Sequence, residues 1–140
     1  MKVTKIFKWH CSHLLTHHEG LCKNLHGHTY KLEVEVEGTT QKEGRSRGMV
    51  IDFGDLKSVV NNYVVDKFDH ALIINKSNLE VIKFAQSQDW KLMQFPGETT
   101  AENMAEWIFT QLKNLKAHPD FKVIRVRLYE TETSYAEVTK

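Results

Sequence analysis

The sequence lacks an excess of either charge: 19 Lys and Arg stand against 18 Asp and Glu, a formal net charge of +1. A nucleic-acid binder usually carries a basic excess or stripe; neither is present, so no nucleic-acid partner is expected. Long apolar runs are also missing. None approaches the roughly 18 residues needed to span a bilayer, and no membrane partner is expected. Met1 to Cys11 holds no apolar signal segment, so the expected location is the cytoplasm. Two prolines and seven glycines in 140 residues exclude collagen-like and linker-rich chains. Two cysteines, Cys11 and Cys22, make no disulfide framework and read as free thiols, one of them a catalytic candidate. What remains is 41% hydrophobic and 26% charged, a globular composition at the length of one domain, residues 1–140.

Histidine is the residue in plenty. Seven of the eight lie before residue 71, and six of those fall between His10 and His28. Histidine is the commonest metal ligand and titrates near neutral pH.

Two stretches alternate with the period of a strand. Val3, Phe7, Trp9, Cys11 and His13 share one face, interrupted by Lys5. His26, His28, Tyr30, Leu32, Val34 and Val36 share another, with Thr29, Lys31, Glu33, Glu35 and Glu37 opposite. One polar and one apolar face point to antiparallel strands covered on one side. Helices are expected from Phe53 to Phe68, with Asp52 as N-cap, and from about Thr100 to Leu115, with Thr99 and Glu102 at capping-box spacing. A short helix fits Asn78 to Gln86. Phe121 to Thr131 reads as a strand with Ile124, Val126, Leu128 and Glu130 on one face, and Ser134 to Val138 pairs back on it. The expected fold is α+β, in the order ββααββ: a four-stranded antiparallel sheet with two main helices on one face. Its long edges invite oligomerisation.

His26 and His28, two apart on a strand, project the same way. If a hairpin-like pairing brings His13 beside them, three imidazoles converge, and three neutral histidines with an open fourth position make a catalytic zinc arrangement. One such histidine alone would be an ordinary half-buried residue; the set is what points to a metal. His10 lies on the opposite strand face, His17 and His18 in the loop, and His118 at the surface. Cys22 precedes His26 by four residues, and a thiol beside a cationic centre can serve as base or nucleophile. Cys11, on the apolar face, reads as a small buried hydrophobe. In Asp69-His70 the acid can orient the imidazole. Glu130 sits on an apolar strand face, where a carboxylate needs partners: either it marks the wet end of the strand or it awaits a ligand with matched donors. Lys42, Arg45 and Arg47 read as a solvated loop, with a phosphate-bearing ligand as the alternative.

Cys22-Lys-Asn-Leu-His26-Gly27-His28, the upstream His13, Gly48-Met-Val-Ile-Asp52-Phe53, Asp69-His70, Thr100-Ala-Glu102-Asn103 and Tyr129-Glu130-Thr131 occur in that order. Together they resemble the 6-pyruvoyltetrahydropterin synthase family, over nearly the whole chain. The resemblance implies the tunnelling fold and a homohexamer of two stacked trimers. It implies Zn2+ on His13, His26 and His28, and Cys22 as the thiolate base. Further roles it implies are a proton relay through His70 held by Asp69, and a pterin ring anchored by Glu130 with help from Thr100. The three residues between Cys22 and the His-Gly-His motif are similar to the bacterial carboxy-forming branch. That branch takes a pterin triphosphate, 7,8-dihydroneopterin triphosphate, to 6-carboxytetrahydropterin with release of acetaldehyde and triphosphate, a step toward queuosine. Thr99 stands where many members carry proline, which affects a helix entry. Formation of 6-pyruvoyltetrahydropterin on the same site is the alternative; a structural-zinc binding module is the alternative of another class.

Overall fold

The structure is a computed structural model and describes residues 1–113 and 121–140. Its strands are β1 (Lys2–His13), β2 (His26–Gly38), β3 (Leu72–Asn75), β4 (Leu92–Phe95), β5 (Phe121–Tyr129) and β6 (Tyr135–Thr139). Helix α1 covers residues 53–68, α2 is Leu79–Ser87 and α3 is Ala101–Lys113. The fold is α+β, but the sheet differs from the expected four antiparallel strands. It has six, in the order β4-β3-β1-β2-β5-β6, and is mixed: β1–β3 and β3–β4 are parallel, the other pairs antiparallel.

The alternation seen in sequence builds the centre. β1 and β2 pair without interruption from Lys2 opposite Glu37 to His13 opposite His26. Phe7, Trp9 and Cys11 from β1 and Tyr30, Leu32, Val34 and Val36 from β2 are buried on the inward face. On the outward face Glu33 and Glu35 meet Arg125, which reaches Glu35 at 2.8 Å, while Arg127 meets Glu137 at 2.7 Å. β5 carries a correction. A bulge against Glu35 and Val36 shifts the register, so Val123 rather than Ile124 joins Val126 and Leu128 in the core. One extra residue in a strand reverses the face of everything before it.

α1 and α3 cover the inward face, as expected for the two main helices. Leu56, Val60, Val64 and Phe68 of α1 recur every fourth residue and meet Met104, Ile108 and Leu112 of α3 in one core. Asp52 caps α1, its carboxylate accepting from Gly54 N–H at 2.6 Å, a contact worth about 1 kcal/mol. A π-helical turn, Asn61–Val65, interrupts α1, where two Asn and two Val of modest helix propensity run together. α3 is capped by Thr100, whose Oγ1 accepts from Asn103 N–H; Thr99, the expected cap, is buried and bonds elsewhere. Leu115 and His118 lie outside the described residues.

β3 and β4 were not expected because they do not alternate. Leu72, Ile73 and Ile74 are all buried: Ile73 faces the main core, while Leu72 and Ile74 pack with Ile82 and Ala85 of α2 on the other face. A strand covered on both sides reads as a short apolar run. No helix among the described residues is long and apolar enough to cross a membrane.

Candidate active site

The hairpin register brings the histidines together. His13 ends β1 and His26 begins β2, directly opposite one another, and His28 follows two residues on along the same inward face. Ring centroids lie 4.6 Å apart for His13 and His26, 5.1 Å for His13 and His28, and 4.8 Å for His26 and His28. Gly27 between the two is dictated by packing: a β-carbon there would sit 3.1 Å from the Cys11 carbonyl oxygen.

Backbone carbonyls set the tautomers. His13 Nδ1 lies 2.8 Å from the Thr99 carbonyl and His26 Nδ1 lies 2.7 Å from the Asn24 carbonyl. A carbonyl can only accept, so both Nδ1 atoms carry the proton and donate it. The two Nε2 atoms then face each other 3.1 Å apart with lone pairs turned together, which is repulsive unless a cation lies between them. Two nitrogens bound to one tetrahedral zinc at 2.0–2.1 Å would be about 3.3 Å apart. His28 Nε2 is buried with no hydrogen-bond partner. Candidate ligand atoms of all three residues fall within 4.8 Å of one another. Burial holds the His13 and His28 imidazoles below the usual histidine value, which favours the neutral, ligating form. The residues fit a three-histidine metal centre of the kind that leaves a position open for substrate.

Cys22 stands in a single 3-10 turn, Leu21–Lys23, and is partly exposed. Its carbonyl accepts from Leu15 N–H at 2.9 Å, which closes the loop between β1 and β2. Cys11 is different: it is buried opposite His28, and burial pushes its thiol up to about 12.

Glu130 lies just beyond β5, its Oε1 3.7 Å from His28 Nε2. It lines a cleft of about 350 Å³ with Thr100, Glu102, His18 and Ser134. From sequence His18 reads only as a loop residue and Ser134 as the start of the last strand, which begins instead at Tyr135; both stand in irregular segments, where no periodicity marks a side chain. The carbonyls of Thr99 and Asn24 were equally invisible, because a backbone oxygen has no residue type.

Asp69 and His70 are not brought to this cluster. They sit on the outward face beside His10, whose ring centroid lies 6.2 Å from that of His70. Asp69 Oδ1 accepts from His10 N–H at 3.1 Å and lies 3.0 Å from His70 Nδ1, and His70 N–H donates to the His10 carbonyl at 2.7 Å. These bonds hold His70 at a φ of 57°, a left-handed conformation uncommon away from glycine. Burial works against the Asp69 carboxylate, yet the His10 N–H and His70 hold it below its ordinary value. His70 lines an open cavity of about 750 Å³ with His10, Thr29 and Trp90, and His28 also borders it. Arg45 pairs with Asp55 at the start of α1. Its loop follows the end of β2 remote from the histidines, twelve residues or about 40 Å along the strand.

A family model described as 6-pyruvoyl tetrahydropterin synthase matches residues 2–140. The 6-carboxy-5,6,7,8-tetrahydropterin synthase of Haemophilus influenzae is 42% identical over 139 residues, covering 97% of this chain and 96% of that protein. The Rickettsia bellii protein of the same name is 30% identical over 140 residues, covering 99% of each chain. Among solved structures, 6-pyruvoyl tetrahydropterin synthase of Caenorhabditis elegans superposes with a TM-score of 0.71 at 23% identity, over 100% of this chain and 95% of that one. The Plasmodium falciparum enzyme gives 0.71 at 21%, over 100% and 97%. At those identities the structures speak for the fold.

Proposed function

Since the chain belongs to the 6-pyruvoyl tetrahydropterin synthase family, we propose that it is the zinc-dependent, carboxy-forming kind of pterin synthase, a carbon-carbon lyase. It converts 7,8-dihydroneopterin triphosphate and one water to 6-carboxytetrahydropterin, with acetaldehyde and triphosphate released. The observation that carries this reading is the pair of Nε2 lone pairs held 3.1 Å apart beside a third, unpartnered imidazole. His13, His26 and His28 would hold zinc, a Lewis acid that polarises side-chain oxygens and stabilises the enolate-like charge left when a carbon acid is deprotonated.

The chain's own residues do the rest. Cys22 takes a proton from the substrate side chain. Glu130 accepts two hydrogen bonds, from the ring N–H and the exocyclic amine of the pterin, which a carboxylate does well because its oxygens match that spacing. Thr100 lines the same cleft. Asp69 holds His70 in one orientation for proton relay. The Haemophilus influenzae relative, 42% identical, bears the carboxy-forming name, which favours this product over the pyruvoyl one. A structural-zinc module would want four protein ligands; the described residues group three. Incubating zinc-loaded protein with 7,8-dihydroneopterin triphosphate and identifying the products tests the reading. Acetaldehyde with the carboxypterin is expected; a pyruvoyl product without acetaldehyde would overturn it.

Asp69 and His70 pack beside His10 and not against the three imidazoles, an arrangement that suits a site completed by a second copy of the chain. A homo-oligomer supplies it. β4 and β6 are open edges in the single chain, and joining edges closes them. In sedimentation at micromolar concentration the protein should run as a hexamer of the 16.3 kDa chain, two trimers stacked. A stable monomer that retains full turnover would contradict the shared site.

A further inference from the structure

Tyr30 is fully buried, stacked on Trp9 at 5.9 Å and 12°, with its ring near-perpendicular to His28 at 5.7 Å and to His13 at 6.2 Å. Its hydroxyl is buried and has no hydrogen-bond partner. An unpaired buried hydroxyl costs stability, and phenylalanine would fill the same space without that cost. The oxygen therefore waits for an acceptor.

The neighbours narrow the choice. Trp9 Nε1 is a donor only, and it too is buried without a partner. The Cys11 thiol is a weak acceptor held neutral by burial. The strong acceptor is Glu130. Lys31 pairs with Tyr129 at the end of the ladder, and Tyr30 and Glu130 are the residues next to that pair on the two chains. The Glu130 carboxylate lies 3.7 Å from His28 Nε2, and the His28 ring packs against Tyr30, so the three side chains form one wall. A phenol keeps its proton at neutral pH, so the hydroxyl is a donor.

We propose that Tyr30 is a positioning residue, whose hydroxyl donates to one oxygen of Glu130 and fixes the plane in which that carboxylate meets the pterin ring. The inference rests on the reading of Glu130 as the ring's anchor. Glu130 stands on a turn past the end of β5, held there by its backbone N–H to the Ser134 carbonyl at 3.2 Å. A side chain on such a turn needs a second point of attachment to present a fixed pair of acceptors.

A double-mutant cycle tests it. Zinc-loaded wild type, Tyr30→Phe, Glu130→Gln and the double variant are titrated with 7,8-dihydroneopterin, which carries the ring without the triphosphate. Zinc content and thermal midpoint are measured on the same samples. Glu130→Gln turns one acceptor into a donor facing the ring's N–H groups and should weaken binding strongly with zinc intact. Tyr30→Phe should weaken binding about 10- to 100-fold, the size of a hydrogen bond to a charged group. Its KM should rise more than its kcat falls, with zinc unchanged and the fold intact. In the Glu130→Gln background, Tyr30→Phe should add less than about threefold, because the two act as a unit. Unchanged binding in Tyr30→Phe, or effects that multiply in the double variant, would overturn the proposal while leaving the anchor intact. Wild-type affinity in Glu130→Gln would overturn the anchor itself, and Tyr30 with it.

Discussion

Replacing His28 by alanine should strip most of the zinc from the protein and abolish turnover in step with it. His28 is one of three imidazoles whose candidate ligand atoms lie within 4.8 Å of one another; its loss leaves two. Removing a group that merely supports a ligand costs about 10–100-fold in metal affinity or activity, and removing a ligand should cost more. The variant should still fold, because His28 is partly exposed at the end of the sheet and the apolar core does not include it. The exposed loop residue His17 provides the contrast: His17→Ala should keep its zinc. Zinc per chain, turnover and circular dichroism on both variants decide the matter. A His28→Ala protein with full metal and full activity would remove the proposed ligand set.

The sheet's centre was legible because its two long strands have one wet and one dry face. The 2.0 period then states the fold directly: Trp9 and Tyr30 inward, Lys8 and Lys31 outward. Where that asymmetry ends, so does the legibility. Leu72, Ile73 and Ile74 are buried on both sides by two different clusters, so no alternation marks β3. β5 misled in a subtler way. Its pattern is intact on each side of the bulge but slips by one residue across it, and only the partner strand reveals the slip.

Site residues divide along the same line. Side chains that owe their place to local spacing, His26 and His28 above all, were readable at once. His13 needed the hairpin register, which two matched alternations supply. Asp69 and His70 could be named as a pair but not placed, since their face depends on how β3 enters the sheet beside β1. Thr99 matters through a carbonyl that orients His13, and a substitution there is judged by what it does to the backbone. Proline lacks an N–H but keeps its carbonyl, so the departure at Thr99 leaves that contact available.

Cys22→Ala should lose roughly 10²–10⁴-fold in turnover, the usual worth of a general base, while zinc and fold survive. The two cysteines occupy opposite situations. Cys11 lies in the core between Trp9 and His13 on one strand, opposite His28 on the next. Burial pushes its thiol up to about 12, which leaves roughly one part in 10⁵ as thiolate at pH 7. A base that is almost never deprotonated, and that substrate cannot reach, does no proton transfer. Cys22 is partly exposed, in the turn that leads into the histidine strand. Three imidazoles suffice to hold the metal without it, so its loss should separate turnover from zinc content, as a fourth structural ligand would not. Cys11→Ala should do the reverse, costing about 1 kcal/mol of stability through lost packing and little activity. Alkylation near neutral pH with peptide mapping probes the same contrast on the unaltered protein: Cys22 should react first, and bound substrate should slow it. Faster labelling of Cys11, or full turnover in Cys22→Ala, would mean that the proton leaves the substrate by another route.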